Sequence, residues 1–433
     1  MILSVVGGSV NTVHGMKRVL KALGYLVGTV VVGVGGFVAY CAIDGIPHFK
    51  QPQVDVTVEV TPERVARGKK LATLLCAECH KNPTTGHLTG KLMEDAPREF
   101  GEIHSRNITR SKEHGIGAWT DGEIIALIRT GIARDGRYTP PWMAKLPHMG
   151  DEDLYSIVAF LRSDDPMVAA SEEPSVPCKP GLLAKLLTHT VWRPLPYPKA
   201  PQLAPAKTDK VAYGRYLVTH ALECYACHSA DFKTMNVDEP EKSPGFLGGD
   251  NVLMGLSQEK IYSANITADD ETGIGKWTEA QLKRALRDGI RPDNTLVRYP
   301  MEPMRDLDDD DVAAIYAYLM QVPKIHKARH PSPPLAVAAN ASDGQKIYYK
   351  YGCNSCHGEH GVGIGDLRGA HKKYATDDAL KAWIRNAPSF KPDTRMPTWD
   401  GVIAENEYAP LLQYVRKLGQ EAGATGGGAT GGQ

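Results

Sequence analysis

The sequence predicts a mainly α-helical protein in which one membrane-spanning helix precedes three compact modules, the first two a duplicated pair. Three observations carry that prediction. A single long uncharged apolar run lies between Ala22 and Ile43. One cysteine–histidine pattern occurs three times at roughly domain spacing. A set of short motifs that follows its first occurrence returns, in the same order, after its second.

At 433 residues the chain has room for two to four cores. Its 50 Lys plus Arg balance 50 Asp plus Glu, which speaks against a large nucleic-acid footprint. A 42% apolar share with 23% charged residues belongs to folded material. The many glycines and prolines, 43 and 30, point to long connections between modules.

Residues 22–43 form the predicted membrane helix. At 1.5 Å per residue it is roughly 33 Å long, enough to cross a hydrocarbon core. Lys17, Arg18 and Lys21 precede it and Asp44 follows. The positive-inside bias puts residues 1–21 in the cytoplasm as a tail and the rest in the periplasm, single-pass in a bacterial inner membrane. A cleaved signal peptide competes, but the apolar run is long for one and no small-residue cleavage site follows. Tyr40 before Cys41 disfavours a lipoprotein.

Six of the eight cysteines lie in Cys76-Ala-Glu-Cys79-His80, Cys224-Tyr-Ala-Cys227-His228 and Cys353-Asn-Ser-Cys356-His357. Cys-x-x-Cys-His is a covalent haem attachment pattern. Two thiols form thioethers to the macrocycle edge, and the adjacent histidine lies beneath the iron as proximal ligand. A thioredoxin-like dithiol would need a strand feeding a redox-active helix, and a zinc site would need four clustered ligands. The pattern therefore predicts three covalently bound haem c groups, matured outside the inner membrane. Cys41 and Cys178 receive no role.

Module one is read over 61–165, after a linker at 44–60. A helix over Pro62–Leu75 leads into the first motif, with Pro62 tolerated at a helix start. Helical periodicity resumes over Asp121–Arg129 and Asp151–Leu161. Module two, 208–322, repeats the plan at one constant offset. Asn107-Ile-Thr109 returns as Asn265-Ile-Thr267, Gly115–Thr120 as Gly273–Thr278, Gly131 as Gly289, and Asp151–Leu154 as Asp309–Val312. Such self-similarity marks a duplicated unit. The stretch from motif to Asn-Ile-Thr is longer in copy two, an insertion within 229–262. Module three, 341–420, has a lead-in from Gly344 to Gly352, a Gly-rich loop over Gly358–Gly365, and helical stretches at Asp377–Ile384 and Tyr408–Leu418. Linkers at 166–207 and 323–340, with Pro-rich runs, separate the modules, and 421–433 reads as a disordered tail.

A haem that only transfers electrons takes a second axial side chain, normally Met or His. Met396 follows the third motif in Arg395-Met396-Pro397. The repeat offset pairs Met143 with Met301, both shortly before an acidic helix start, whereas Met149 and Met304 fall opposite leucines. Met143, Met301 and Met396 are thus the candidate iron ligands, together with His80, His228 and His357. Met93, Met235 and Met254 read as packing or loop residues. His87, His104, His114, His360 and His371 do not recur and read as surface residues. Trp119 and Trp277 recur and read as walls near a haem edge or as core. Asn107 and Asn265 could bond backbone or a haem propionate.

With these motifs in place, residues 61–420 resemble the class I cytochrome c superfamily in a triheme form. They are similar to the cytochrome subunits of membrane-bound alcohol, aldehyde or gluconate dehydrogenases. Cys76–His80, Asn107–Thr109, Gly115–Trp119 and Met143 match that pattern, as do Cys224–His228, Asn265–Thr267, Gly273–Trp277 and Met301. The amino-terminal anchor and the residues after the methionines, Ala144 and Glu302, differ from it. The resemblance implies single-electron relay without a catalytic site, between respiratory or dehydrogenase partners, a terminal oxidase or a mobile cytochrome. An alternative is a dehydrogenase subunit passing electrons to quinone. A di-haem peroxidase would instead keep one iron open, against which the paired methionines argue.

Overall fold

An apolar segment in lipid must satisfy its backbone internally, and the first run folds as one helix, α1 (Ser9–Asp44). In the computed structural model, residues 9–425 are described apart from 256–257, 329, 331–336, 338–339, 359, 362–365, 368, 393 and 395. Val19–Asp44 is long and apolar enough to cross a membrane, and only 6% of its most apolar window is buried within the protein. The chain then runs along the surface of the next unit rather than hanging free. Phe49 N donates to Gly136 O at 2.7 Å, and Gln51 Nε2 donates to Glu123 O and Ile132 O at 3.0 and 2.8 Å.

Helix α2 (Pro62–Leu75) is capped by Thr61 and passes through Cys76 into the short α3 (Ala77–His80). Strand β1 (Gly101–Glu102) pairs antiparallel with β2 (Lys179–Pro180). Helix α4 (Asp121–Thr130) opens on a capping box of Thr120 and Glu123 and closes on Gly131 at φ 80, a left-handed turn that suits glycine. Helix α5 (Asp151–Arg162) carries three acidic residues in its first turn and packs back across α2. Helix α6 (Leu182–Thr190) follows β2 and packs on the end of α1.

The second unit repeats this order. Helix α7 (Lys210–Tyr216) continues through a π turn, Leu217–Ala221, to α8 (Cys224–His228). A hairpin of β3 (Val252–Met254) and β4 (Lys260–Tyr262) lies within the sequence insertion. Helix α9 (Glu279–Asp288) has the matching capping box, Thr278 with Gln281, and the matching left-handed Gly289 at φ 71. Helix α10 (Asp309–Leu319) packs on α7. The third unit comprises α11 (Asp343–Lys350), α12 (Asn354–His357), α13 (Ala370–Lys373), α14 (Asp377–Arg385), α15 (Ala387–Phe390) and α16 (Tyr408–Thr425). Here α11 crosses α16. The Gly358–Gly365 loop, the 323–340 connection and the terminal tail lie partly outside the described residues.

One device recurs at all three helix crossings. A Cβ on Gly68 would sit 1.7 Å from Ser156 O, one on Gly214 1.9 Å from Ala314 O, and one on Gly344 2.1 Å from Pro410 O. An aromatic side chain, Phe160, Tyr318 or Tyr414, abuts each glycine. Only glycine lets the two backbones approach this closely.

A continuous apolar core runs through the first two helix pairs, from Val58 to Val322, while the third pair has its own core around Tyr348, Trp399 and Leu411. Polar groups bridge the first two units crosswise. Asp153 pairs with Arg67 at 2.8 Å and accepts from Tyr216 Oη at 2.7 Å. Asp311, its counterpart, pairs with Lys70 and accepts from Tyr213 Oη at 3.1 Å.

Candidate functional site

Each Cys-x-x-Cys-His occupies a single helical turn, in which residues three apart share a face. All six cysteines lie outside disulfides and are half-buried. Burial pushes Cys76, Cys79, Cys224 and Cys353 up to about 12, and Cys227 up to about 11. Burial thus disfavours the thiolate at these positions, unlike the low-pKa cysteine of a redox dithiol.

Two of the motif histidines are held in a fixed tautomer. His80 Nδ1 donates to Arg106 O and His228 Nδ1 to Ala264 O, both at 2.7 Å. Burial lowers the proton affinity of both rings. A neutral ring with Nδ1–H committed to a carbonyl leaves Nε2 as its lone-pair donor, the arrangement that orients a metal-binding imidazole. The donor set therefore fits a haem: two thiols on one turn and a neutral imidazole beside them. His357 closes α12 in the same motif.

The methionines separate by environment. Met143 and Met301 are half-buried and stand on equivalent turns, with Met143 N donating to Pro140 O at 3.1 Å and Met301 N to Arg298 O at 3.0 Å. Three residues on, Leu146 N bonds Ile128 O and Met304 N bonds Leu286 O. Met149 is fully buried in the common core and Met304 packs against it, so both fill space. Met396 is half-buried at the edge of the third core.

The asparagines bond backbone and hydroxyl groups. Oδ1 of Asn107 accepts from Thr109 N and Oγ1 at 2.9 and 2.7 Å, and Asn265 treats Thr267 identically. Nδ2 of Asn107 donates to Glu173 O and Ser171 O. Nδ2 of Asn265 donates to Ile325 O and Thr272 Oγ1. Each amide thus ties the loop after its motif to the chain leaving its last helix. Gly115 and Gly273 serve the same loops: a Cβ on either would lie 2.3 Å from the carbonyl of Thr109 or Thr267. Trp119 and Trp277 are half-buried against the common core.

Several contacts between the units had no signal in the sequence, because the partners come from non-equivalent positions. Lys145, two residues past Met143, faces Glu223, which precedes Cys224. Burial pushes Glu223 up to about 8 and Lys145 down to about 7, each partly opposed by the other's charge. Reciprocally, Tyr299, two residues before Met301, hydrogen-bonds Asp95 and lies near Glu78 of the first motif. Each methionine loop therefore reaches the other unit's cysteine motif. Farther on, Arg305 Nη2 donates to Met396 O at 2.5 Å, and Leu296 packs on the third core. Cys178 exchanges hydrogen bonds with the backbone of His104, and Cys41 is fully buried on α1.

A helical scaffold that presents paired thiols and a neutral imidazole on one turn suits a haem-binding electron carrier. Residues 65–164 match the family model "Cytochrome c", and residues 339–415 match "Cytochrome C oxidase, cbb3-type, subunit III". Over 385 residues the chain is 25% identical to the alcohol dehydrogenase (quinone) cytochrome c subunit of Gluconobacter oxydans (strain 621H), covering 82% of this chain and 78% of that one. It is 31% identical over 268 residues to the gluconate 2-dehydrogenase cytochrome c subunit of Pantoea cypripedii, covering 59% and 58%. It is 28% identical over 347 residues to the fructose dehydrogenase cytochrome subunit of Gluconobacter japonicus, covering 73% and 68%. Residues 65–164 and 339–415 thus match cytochrome c domains, which imply covalently bound haem c, and the chain transfers electrons and is not itself catalytic.

Proposed function

We propose that the chain is the membrane-anchored triheme subunit of a dehydrogenase complex, relaying single electrons through three domains, 61–165, 208–322 and 341–420, the first two a duplicated pair. Cys76, Cys79, Cys224, Cys227, Cys353 and Cys356 form the thioethers. His80, His228 and His357 would hold the iron, together with Met143, Met301 and Met396. When bound, haem iron supplies the one-electron ferric–ferrous couple. The residues supply everything else. The Nδ1 bonds of His80 and His228 orient the ligand nitrogen and raise its basicity, and a thioether ligand raises the potential. The crossed loops, Lys145 to Glu223 and Tyr299 to Asp95, favour adjacent first and second sites. The Arg305–Met396 contact favours a third site beside the second.

The observation that carries this reading is the equivalent Nδ1–carbonyl bond at His80 and His228. The dehydrogenase partner is favoured by the names of the similar proteins. Residues 22–43 would anchor the chain in the inner membrane with the haem domains in the periplasm, as the flanking charges indicate. The test is Met→Leu substitution at positions 143, 301 and 396, singly, in the full chain. Each variant is expected to turn one low-spin haem carbon-monoxide-reactive and lower one midpoint potential. Unchanged spectra and potentials in all three would overturn the ligand scheme.

A further inference from the structure

Helix α6 buries the wrong residues for an ordinary surface helix. Its small side chains, Ala184 and Thr188, are fully buried. Leu182 and Leu183 are 47% and 43% exposed, and Val191 just beyond the helix is 70% exposed. At 100° per residue, Leu182, Leu183 and the half-buried Leu186 lie on the side away from Ala184 and Thr188, with half-buried Leu187 on the flank. A solvated helix would place these residues the other way round.

The location of α6 supplies the reason. Lys185 Nζ donates to Ala42 O at 2.9 Å, and His189 Nε2 donates to Gly45 O at 3.2 Å. The Tyr40 ring meets the His189 ring edge-on at 5.3 Å. These contacts fix α6 at the carboxyl end of α1, level with Phe37, Tyr40 and Ile43, which are themselves exposed. If α1 spans the bilayer, this level is the boundary between acyl chains and headgroups. Trp192 closes the helix there, edge-on to Phe100 at 5.1 Å and to Trp142 at 6.2 Å. Tyrosine and tryptophan concentrate at that boundary because one end of each ring system is apolar and the other polar.

We propose that α6 is an interfacial helix whose leucine face, continuous with the exposed face of α1, lies in the lipid at the bilayer surface. This inference rests on the anchor reading of α1. It makes the attachment two-point. The first unit is held at the membrane by α1 and α6, with the 45–58 stretch docked on the unit itself and its Trp142–Met143 loop on the membrane side. A swinging tether is thereby excluded.

The test places the photoreactive side chain p-benzoylphenylalanine at Leu183 of the full haem-loaded chain, reconstituted in phosphatidylethanolamine–phosphatidylglycerol vesicles. The same probe at Val31 in α1 serves as the reference. Irradiation is expected to give lipid adducts at position 183 in a yield within about threefold of position 31. Adducts only at position 31 would overturn the α6 proposal and leave the anchor standing. Cross-links from 183 to a second copy would overturn it in favour of a protein contact. Lipid adducts at neither position would remove the anchor and the proposal together.

Discussion

The first and second helix pairs differ least in their polar connections and most in how they approach their cysteines. Asn107 and Asn265 accept and donate in parallel, His80 and His228 bond the carbonyls just before those asparagines, Arg106 O and Ala264 O, and Thr120 and Thr278 open matching capping boxes. Yet α2 enters the first motif as regular helix, whereas α7 passes through a π turn and a left-handed Glu223 at φ 49. Such turns absorb inserted residues within a helix. The comparison teaches that the hydrogen-bond frame behind each histidine tolerates little change, while the path to the thiols tolerates insertion.

Substitution at the crossings tests the frame most severely. Gly68→Ala and Gly214→Ala each push a methyl into backbone and should cost about 3 kcal/mol by overpacking, read as a lower denaturant midpoint of the full chain. Gly36→Ala, with open space around it, should cost nothing measurable by the same assay. A loss at only one of the two crossings would break the equivalence of the pairs.

The buried carboxylates Asp153 and Asp311 come next. Asp311 is buried beneath Lys70 and Tyr213, and Asp311→Ala leaves Lys70 only its pair with the half-exposed Asp308 at 2.7 Å, so it should cost about 3 kcal/mol. Asp153→Ala should cost somewhat less, because Arg67 can reach Tyr213 Oη at 3.3 Å. Thermal unfolding of the two variants measures the difference, and because each carboxylate also bonds a tyrosine of the second unit, both should loosen the common core.

Asn107→Ala and Asn265→Ala each strand buried donors from a Thr and should cost about 2 kcal/mol. They should also speed amide exchange in the following Gly-Ile-Gly loop. Thr120→Ala and Thr278→Ala remove one cap bond each, for about 1 kcal/mol by denaturant titration.

Acid sharpens the comparison at one position. Copy two has Asp269 where copy one has Ser111. Hydrogen bonds from Thr272 and from Glu271 N hold the Asp269 carboxyl down to about 2. A carboxyl depressed in the folded state contributes above its usual value near 4 and loses that contribution as pH falls towards 2. Asp269→Ser should therefore make the acid-unfolding profile shallower between about pH 4 and 2, whereas Ser111→Ala should leave its slope unchanged.

What could be read in the sequence was whatever repeats or has a fixed spacing. The helices at Pro62–Leu75, Asp121–Thr130 and Asp151–Arg162 follow from apolar periodicity and end signals, and the pairing of Met143 with Met301 follows from the offset. The β3–β4 hairpin was not legible, since its short strands lack alternation and lie in the unrepeated insertion. Neither was α6, whose outward leucines resemble a core stripe until α1 is placed beside it. Lys145–Glu223, Tyr299–Asp95 and Arg305–Met396 join residues with no shared register, so only the folded chain brings them together.

The central claim is that three haem groups are bound, and the intact mass of the chain purified from membranes tests it most directly. The account predicts the polypeptide plus three haem masses, falling to two when Cys353 and Cys356 are both replaced by alanine. A native chain that carries fewer than three, or a double variant that loses none, would contradict it.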